Sequence, residues 1–198
     1  MTTNESFPKF DLPVDFIADD SITGDILNYY GNFPCKIKAG VFVLCTEGMV
    51  RATINLLEIV IRKNDFIVVL PNSFIQIHEV SSDTRISFAG FSSDFMLSGN
   101  YVEILLDFMP MILNSPVISL QEDVAGLYRN VYLLLIRAYT LPHSLENKEI
   151  IRSVLAIFLQ GTKELYKRYG KKLDEPLRRE QELYRQFIQL LMVHYTKE

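Results

Sequence analysis

The stretch that decides the fold is VFVLCTEGMVRATINLLEIVIRKNDFIVVLPNSFIQIHEVSSDTRISFAGF, residues 41–91. It consists of short apolar pieces rich in Val, Ile, Phe and Thr, separated by polar breaks such as residues 46–48 and 63–65. β-Branched residues are stiff at χ1 and pack best on a pleated surface, so they favour strands over helices here. The pattern predicts successive short antiparallel strands joined by tight turns.

The alternation of side chains assigns the strand faces, because successive residues of a strand point to opposite sides. In residues 49–55 one face is apolar and comprises Val50, Ala52 and Ile54. After Pro71, Ile75 and Ile77 oppose Gln76 and His78. The piece 66–70 is apolar on both faces, which indicates a strand that is covered on both sides. A small closed sheet requires strands with one apolar face inside and one mixed face outside.

The order of these elements resembles the cupin barrel, with a hairpin glycine (Gly48), a strand pair, a turn at residues 64–65 and a strand leading to Pro71. Metal-binding cupins place a His-x-His and a Glu before the glycine and another His after the proline. Residues 40–46 read GVFVLCT, and the later position falls at about Ile75. Since a divalent metal needs three or four N, O or S donors, we expect no metal and no cofactor.

Composition narrows the class of protein. The chain has 198 residues, is 48% hydrophobic and carries a formal net charge of −4, so a sizeable core is expected and a basic nucleic-acid surface is not. No apolar run is long enough to span a bilayer, and the N-terminus lacks a signal peptide's basic and apolar regions. With Cys35 and Cys45 expected as free thiols, a cytoplasmic location is predicted and membrane association is not.

Helical periodicity begins after the strands. Residues 26–30 and 35–38 read as two further strands, and residues 101–109 as a helix ended by Pro110. A capping box at residues 119–122 predicts the start of a long helix, which Pro142 would end. The longest periodic segment is 146–169; its apolar stripe includes Ile151, Leu155 and Leu165, and a second, narrower apolar edge lies beside it. The fold class is therefore α+β: a cupin-like antiparallel β-barrel followed by a helical hairpin.

The C-terminal dodecapeptide FIQLLMVHYTKE, residues 187–198, resembles the first helix of the DNA-binding region in AraC-type transcription regulators. The resemblance implies a cupin-like sensor domain over residues 1–118, a helical dimerisation hairpin over 119–170, and a linker with the first helix of a helix-turn-helix domain over 171–198. Because the sequence ends before either recognition helix, we expect a regulator cut at the entry to that domain, with DNA binding only through the missing part.

The expected activity is effector sensing without catalysis, since phosphate-loop, dinucleotide, zinc-protease and nucleophile-elbow motifs are absent from the sequence. A small, mostly apolar or uncharged effector would sit inside the barrel, because no inward Arg or Lys is expected to pair a buried anion. Its predicted contacts come from the strands around Tyr30, Cys45, Gln76 and His78. Two alternatives stay open: a cupin-fold enzyme such as a metal-dependent isomerase or dioxygenase, and a barrel that is filled by its own side chains and only mediates assembly.

Homodimerisation is predicted through the long C-terminal helix of the hairpin. The predicted interface residues are Ile150, Val154, Ile157, Phe158 and Gly161. Gly161 would allow two copies of the helix to approach closely, in a symmetric pairing. The alternative is that the helix over residues 122–139 covers this surface within one chain and leaves a monomer.

Overall fold

Ten strands and five helices make up the part of the chain that the computed structural model describes, which is residues 9–31, 33–97, 101–140 and 148–169 together with Arg179, Leu183, Gln186 and Leu190. The strands are β1 (Lys9–Phe10), β2 (Phe16–Thr23), β3 (Cys35–Ile37), β4 (Gly40–Glu47), β5 (Met49–Ile54), β6 (Leu57–Arg62), β7 (Asp65–Val69), β8 (Ser73–Val80), β9 (Arg85–Phe91) and β10 (Val117–Ser119). The helices are α1 (Gly24–Tyr30), α2 (Ser93–Leu97), α3 (Tyr101–Asn114), α4 (Glu122–Thr140) and α5 (Lys148–Tyr169).

The strands form two five-stranded sheets. The outer sheet has the order β1-β3-β8-β5-β6 and the inner sheet the order β10-β7-β4-β9-β2. All pairings are antiparallel except the short pairing of β1 with β3. The two antiparallel sheets followed by helices confirm the α+β, cupin-like class. The predicted closure into a barrel is wrong, because among the described residues no strand of one sheet pairs with a strand of the other.

The inner sheet is covered on both faces, and this arrangement creates two cores. Between the sheets, Val43 and Cys45 of β4 pack with apolar residues of β5 and β8. On the opposite face, Phe42 and Leu44 belong to a larger core that includes the buried residues of α2 to α5. Every residue of β7 is buried, which confirms the prediction that this piece is covered on both sides. The chain is therefore layered as sheet, sheet and helices.

The helices do not form a core of their own, because their buried side chains share one cluster with the inner sheet. The predicted boundary between residues 118 and 119 falls inside β10, which pairs with β7 and thereby joins the helical hairpin to the inner sheet.

Residues 26–30, which were predicted as a strand, form the end of helix α1. Asp25 lies in the first turn of that helix, where a carboxylate is favoured by the helix dipole. The Gly24 backbone packs so closely on β8 that a Cβ there would lie 2.7 Å from the Ser81 carbonyl oxygen. Periodicity alone does not separate helix from strand in a five-residue piece.

Pro110 does not end helix α3, contrary to the prediction. The helix continues to Asn114, and the Ser115 amide donates to the Met111 carbonyl at 2.9 Å. Proline removes one helical hydrogen bond, but Met109 and Ile112, on either side of it, are buried in the helix–sheet core. Burial of these side chains offsets the lost hydrogen bond.

The predicted capping box at residues 119–122 is wrong, because both of its side chains have other partners. Ser119 Oγ donates to Asp65 Oδ1 at 2.6 Å, and Glu122 Oε2 accepts from Asn64 Nδ2 at 2.6 Å. Helix α4 nonetheless starts at Glu122, with the Ala125 amide donating to the Gln121 carbonyl. The predicted stop at Pro142 lies outside the described residues.

Candidate functional site

Of the three predicted effector contacts whose side chains the structure describes, Cys45 lies between the sheets. Its side chain is fully buried among apolar residues such as Ile67 and Ile86, and its Sγ donates to the Glu47 carbonyl at 3.2 Å. Burial, with a smaller contribution from the carboxylate of Asp65, raises the pKa of the Cys45 thiol to about 11. Cys45 is thus a neutral core residue in this structure.

Gln76 and His78 do not line the space between the sheets, as was predicted for an effector site. They lie on the solvent face of the outer sheet, because Ile75 and Ile77 occupy the inward positions of β8. His78 is exposed, with its Nε2 2.7 Å from Thr53 Oγ1 on the neighbouring strand. The prediction fails on the choice of face, since a period of two separates the polar from the apolar residues. Tyr30 ends α1, and its side chain lies outside the described residues.

The space between the sheets is occupied by the chain's own side chains. Cys45, Ile67, Val69 and Ile86 of the inner sheet pack there against Val50, Ala52, Ile54 and Ile61 of the outer sheet. At one end of the sandwich lies a cavity of about 10 Å³, which is room for about one water molecule. Seven apolar residues, together with Asn55 and Ser73, line it.

In the described part of the chain, no three His, Cys, Asp or Glu side chains converge as a metal ion would require. No helix there is long and apolar enough to cross a membrane. These two absences do not test whether the protein binds a metal or catalyses a reaction, so a metal-free and non-catalytic protein remains a prediction.

A polar junction links the sandwich to helix α4. Asn64, in the β6–β7 turn with φ of 67°, donates through Nδ2 to Glu122 and accepts through Oδ1 from Arg129 at 3.1 Å. Arg129 also donates to Glu122 at 2.8 Å. The Asn64 amide donates to the Cys45 carbonyl at 2.7 Å, and the Leu120 amide donates to the Asn64 carbonyl at 3.0 Å. We call Asn64, Glu122 and Arg129 the Asn64 junction; one turn residue connects β4 with the start of α4.

The hydrogen bonds of the junction also act on its carboxylate. The bonds from Asn64 and then Arg129 lower the pKa of Glu122. The junction is therefore built with Glu122 ionised, because both donors stabilise the charged form.

The helical hairpin rests on the inner sheet through aromatic side chains. The Phe158 ring lies 4.9 Å from that of Phe42 and 5.9 Å from that of Phe66, measured between centroids. Tyr128 and Tyr132 of α4 flank the same ring at 5.5 and 5.4 Å. Both tyrosine hydroxyls are buried, and neither makes a well-formed hydrogen bond among the described residues, although that of Tyr128 interacts with the Thr162 side chain.

Most of the predicted dimer residues have roles inside the chain. Phe158 is only 2% exposed and Val154 is buried, so neither side chain is available to a second copy. Gly161 makes room for Tyr128, since a Cβ there would lie 2.8 Å from Tyr128 Oη. Helix α4 thus covers this face, as the monomer alternative proposed. Ile157 remains, 66% exposed; the side chain of Ile150 lies outside the described residues.

A group of three exposed apolar side chains of the hairpin lies on α4. Leu127, Leu133 and Leu134 are 61%, 42% and 51% exposed. Gly126 sits beside them in the helix, and a Cβ added there would meet nothing within 4 Å. We call Gly126, Leu127, Leu133 and Leu134 the α4 leucine surface. Three consecutive leucines, at residues 133–135, indicate this surface in the sequence. Consecutive residues point in different directions around a helix, so these three cannot all be buried on one face.

Comparison with known proteins gives matches among solved structures only: no protein-family model and no curated protein matches the chain. ToxT from Vibrio cholerae is 13% identical with a TM-score of 0.43, covering 85% of this chain and 63% of ToxT. The AraC-like transcriptional activator CuxR is 11% identical with a TM-score of 0.42, covering 78% of this chain and 51% of CuxR. The EutQ protein of Clostridium difficile is 13% identical with a TM-score of 0.28, covering 42% of this chain and 54% of EutQ.

The chain thus spans less than two thirds of the length of ToxT and of CuxR. At these identities the likeness concerns the fold alone.

Proposed function

We propose that this chain is the effector-sensing and dimerisation part of an AraC-like transcription regulator, with no catalytic activity of its own. The support is the order of parts in one chain: a cupin-like sandwich, a helical hairpin on its inner sheet, and a C-terminal segment that resembles the entry to a DNA-binding domain. DNA binding would belong to the helix-turn-helix region that follows such a hairpin in this family, and the protein would act in the cytoplasm.

The observation that carries the proposal is the α4 leucine surface. The exposed part of a leucine side chain gains no burial within a single chain, and three such residues on one helix form a patch of the kind that marks an interaction site. A mid-helix glycine costs about 1 kcal/mol relative to alanine, and at Gly126 no neighbour within the described chain requires it. A second copy of α4 packed across Gly126 explains both features, because a glycine permits close approach of two helices.

The Asn64 junction gives the sandwich a route to this surface. It joins the Cys45 carbonyl of the sensor core to the first two turns of α4 by hydrogen bonds. A displacement of β4 or of the β6–β7 turn would therefore be transmitted to the orientation of α4. In a dimer, that orientation sets the spacing of two DNA-binding regions, which must match the spacing of paired half-sites.

Light scattering coupled to size-exclusion chromatography tests the assembly. We expect the unmodified chain to be a dimer at tens of micromolar, and the double variant Leu127→Lys/Leu134→Lys to be a folded monomer. Val60→Lys is the matched control, because Val60 is an exposed apolar residue on the outer sheet, away from the hairpin.

Two results contradict the proposal: an unmodified chain that is monomeric, or a double variant that stays dimeric. Loss of the dimer in Ile157→Lys alone, with the α4 variant still dimeric, would place the interface on α5.

A further inference from the structure

The outer sheet ends in strand β6, which pairs with β5 on one side and with no described strand on the other. In an antiparallel pair, residues that bond to the partner strand alternate with residues whose N–H and C=O groups point away from it. The Arg62 amide donates to Asp65 Oδ2 at 2.7 Å, so its N–H points away from β5. Glu58 and Val60, which lie four and two residues before Arg62, therefore direct their backbone groups to the open edge of the sheet.

Strand β6 lacks the features that protect the other sheet edges. Natural proteins block edge strands with short length, bulges, prolines or charges, because an open edge is a template for pairing with another chain. Strands β1 and β10 have only 2 and 3 residues. Strand β2 has a register shift after Asp19 and carries a second carboxylate, Asp20, at the same place. Strand β6 has 6 residues in regular register, no proline or glycine, and no charge on its inward face.

The solvent face of β6 is complementary to a second copy of itself. Its side chains are Glu58, Val60 and Arg62, which are all exposed and of which none of the described salt bridges uses the two charged ones. When two copies of β6 run antiparallel with their Val60 residues opposite each other, Glu58 of each copy lies opposite Arg62 of the other. Opposite charges in this position stabilise a strand pair. A shift of the register by two residues removes both charge pairs.

The same register suits the backbone and the inward face. The two Val60 residues would exchange N–H to C=O hydrogen bonds, and each Glu58 amide would donate to the Arg62 carbonyl of the other copy. The Arg62 amide needs no further acceptor, because Asp65 already provides one. On the inward face, Ile59 would lie opposite Ile61 of the other copy. Ile59 is only partly buried at this end of the inter-sheet core, so the pairing covers apolar surface that one chain leaves open.

We propose that β6 is a self-association surface separate from α4, on which two copies pair antiparallel about Val60 and join their outer sheets into one. One strand pair is smaller than a standard interface of about 1,600 Å², so the dissociation constant should be on the order of hundreds of micromolar. The pairing is therefore unpopulated at tens of micromolar, where Val60→Lys serves as the control for the α4 leucine surface. Its use, which rests on the proposed function, is to link regulator dimers on neighbouring DNA sites, where the local concentration is about millimolar.

Sedimentation equilibrium of the full chain carrying Leu127→Lys/Leu134→Lys isolates this contact from α4. We expect a monomer at about 10 μM and a growing dimer fraction toward about 1 mM. Glu58→Lys and Arg62→Glu should each weaken the dimer about tenfold or more, because each replaces both opposite-charge pairs by like-charge pairs. The double reversal Glu58→Lys/Arg62→Glu should restore the dimer, and so should an equimolar mixture of the two single variants. Asp20→Lys, the same charge change at an exposed position of β2, is the control and should have no effect.

Amide hydrogen exchange shows whether the association is a strand pairing. Exchange at Glu58 and Val60 should slow as the dimer forms, whereas Ile59 and Ile61, which already bond to β5, should not change. Three results overturn the proposal: no association at the highest concentration, a folded double reversal that fails to associate, or association without slower exchange at Val60. Because every protein in this experiment carries the α4 substitutions, these failures leave dimerisation through α4 in place. A monomeric unmodified chain at tens of micromolar likewise leaves the β6 pairing in place.

Discussion

Substitution of Gly161 by alanine tests the internal packing of the helical hairpin. As a helix-interior residue, alanine is favoured over glycine by about 1 kcal/mol. The new Cβ, however, would lie 2.8 Å from Tyr128 Oη. The tyrosine ring cannot swing away freely, because it packs on Phe66 and Phe158 at centroid distances of 5.0 and 5.5 Å. Overpacking of this kind costs about 1–3 kcal/mol, so we expect Gly161→Ala to be neutral to destabilising, by up to about 2 kcal/mol.

Removal of the hydroxyl should reverse that effect. In Tyr128→Phe the next atom near the new Cβ is the ring carbon at position 4, at 3.7 Å, an ordinary contact. The hydroxyl makes no well-formed hydrogen bond among the described residues, although it interacts with the Thr162 side chain, so its loss by itself is expected to be close to neutral. The double variant Gly161→Ala/Tyr128→Phe should therefore exceed the stability of Gly161→Ala, with a coupling energy of about 1–3 kcal/mol.

Urea unfolding followed by far-ultraviolet circular dichroism measures the cycle, since the chain contains no tryptophan. The four proteins should be compared in the Leu127→Lys/Leu134→Lys background, so that dimerisation does not enter the free energy of unfolding. An increase in stability of about 1 kcal/mol in Gly161→Ala alone, with no coupling to Tyr128→Phe, would show that the two residues are not in contact and would refute the reasoning.

Three further predictions concern the core and the Asn64 junction. Tyr132→Phe should raise the free energy of unfolding by up to about 1–2 kcal/mol, because its buried hydroxyl is unpaired among the described residues; a loss of stability contradicts this. Asn64→Ala should be less stable than Asn64→Gly by about 1 kcal/mol, since both remove the junction bonds but only glycine accepts the positive φ without strain; equal stabilities contradict this. Cys45 should resist thiol reagents in the native chain, and its contribution to stability should fall as the pH rises between its ordinary pKa of 9.0 and about 11, because the unfolded thiol ionises first; labelling of native Cys45 at pH 8 contradicts this.

Much of the sandwich was predictable from the sequence because strand faces follow a period of two. The alternation of Val50, Ala52 and Ile54 places these residues between the sheets, where the structure has them. It also separates Gln76 and His78 from Ile75 and Ile77. The error lay in selecting polar residues as effector contacts, although their own alternation assigned them to the solvent face.

The hairpin was harder to predict because periodicity identifies a buried stripe but not what buries it. The stripe that includes Ile151 and Leu155 is buried, and it packs on the chain's own inner sheet. A small residue such as Gly161 has the same sequence signature whether it receives a partner helix or the hydroxyl of Tyr128. Closure of the sheet likewise depends on pairing between distant strands, which residue alternation does not encode.

The most direct test of dimerisation through the α4 leucine surface is a DNA-binding reporter that works only as a dimer. Residues 1–198 are fused to a DNA-binding domain that represses its operator only as a dimer, and repression is measured in cells. The account predicts repression by the unmodified fusion and by Val60→Lys, and its loss in Leu127→Lys/Leu134→Lys at equal protein level. An unmodified fusion that does not repress, or a double variant that represses fully, would contradict the account.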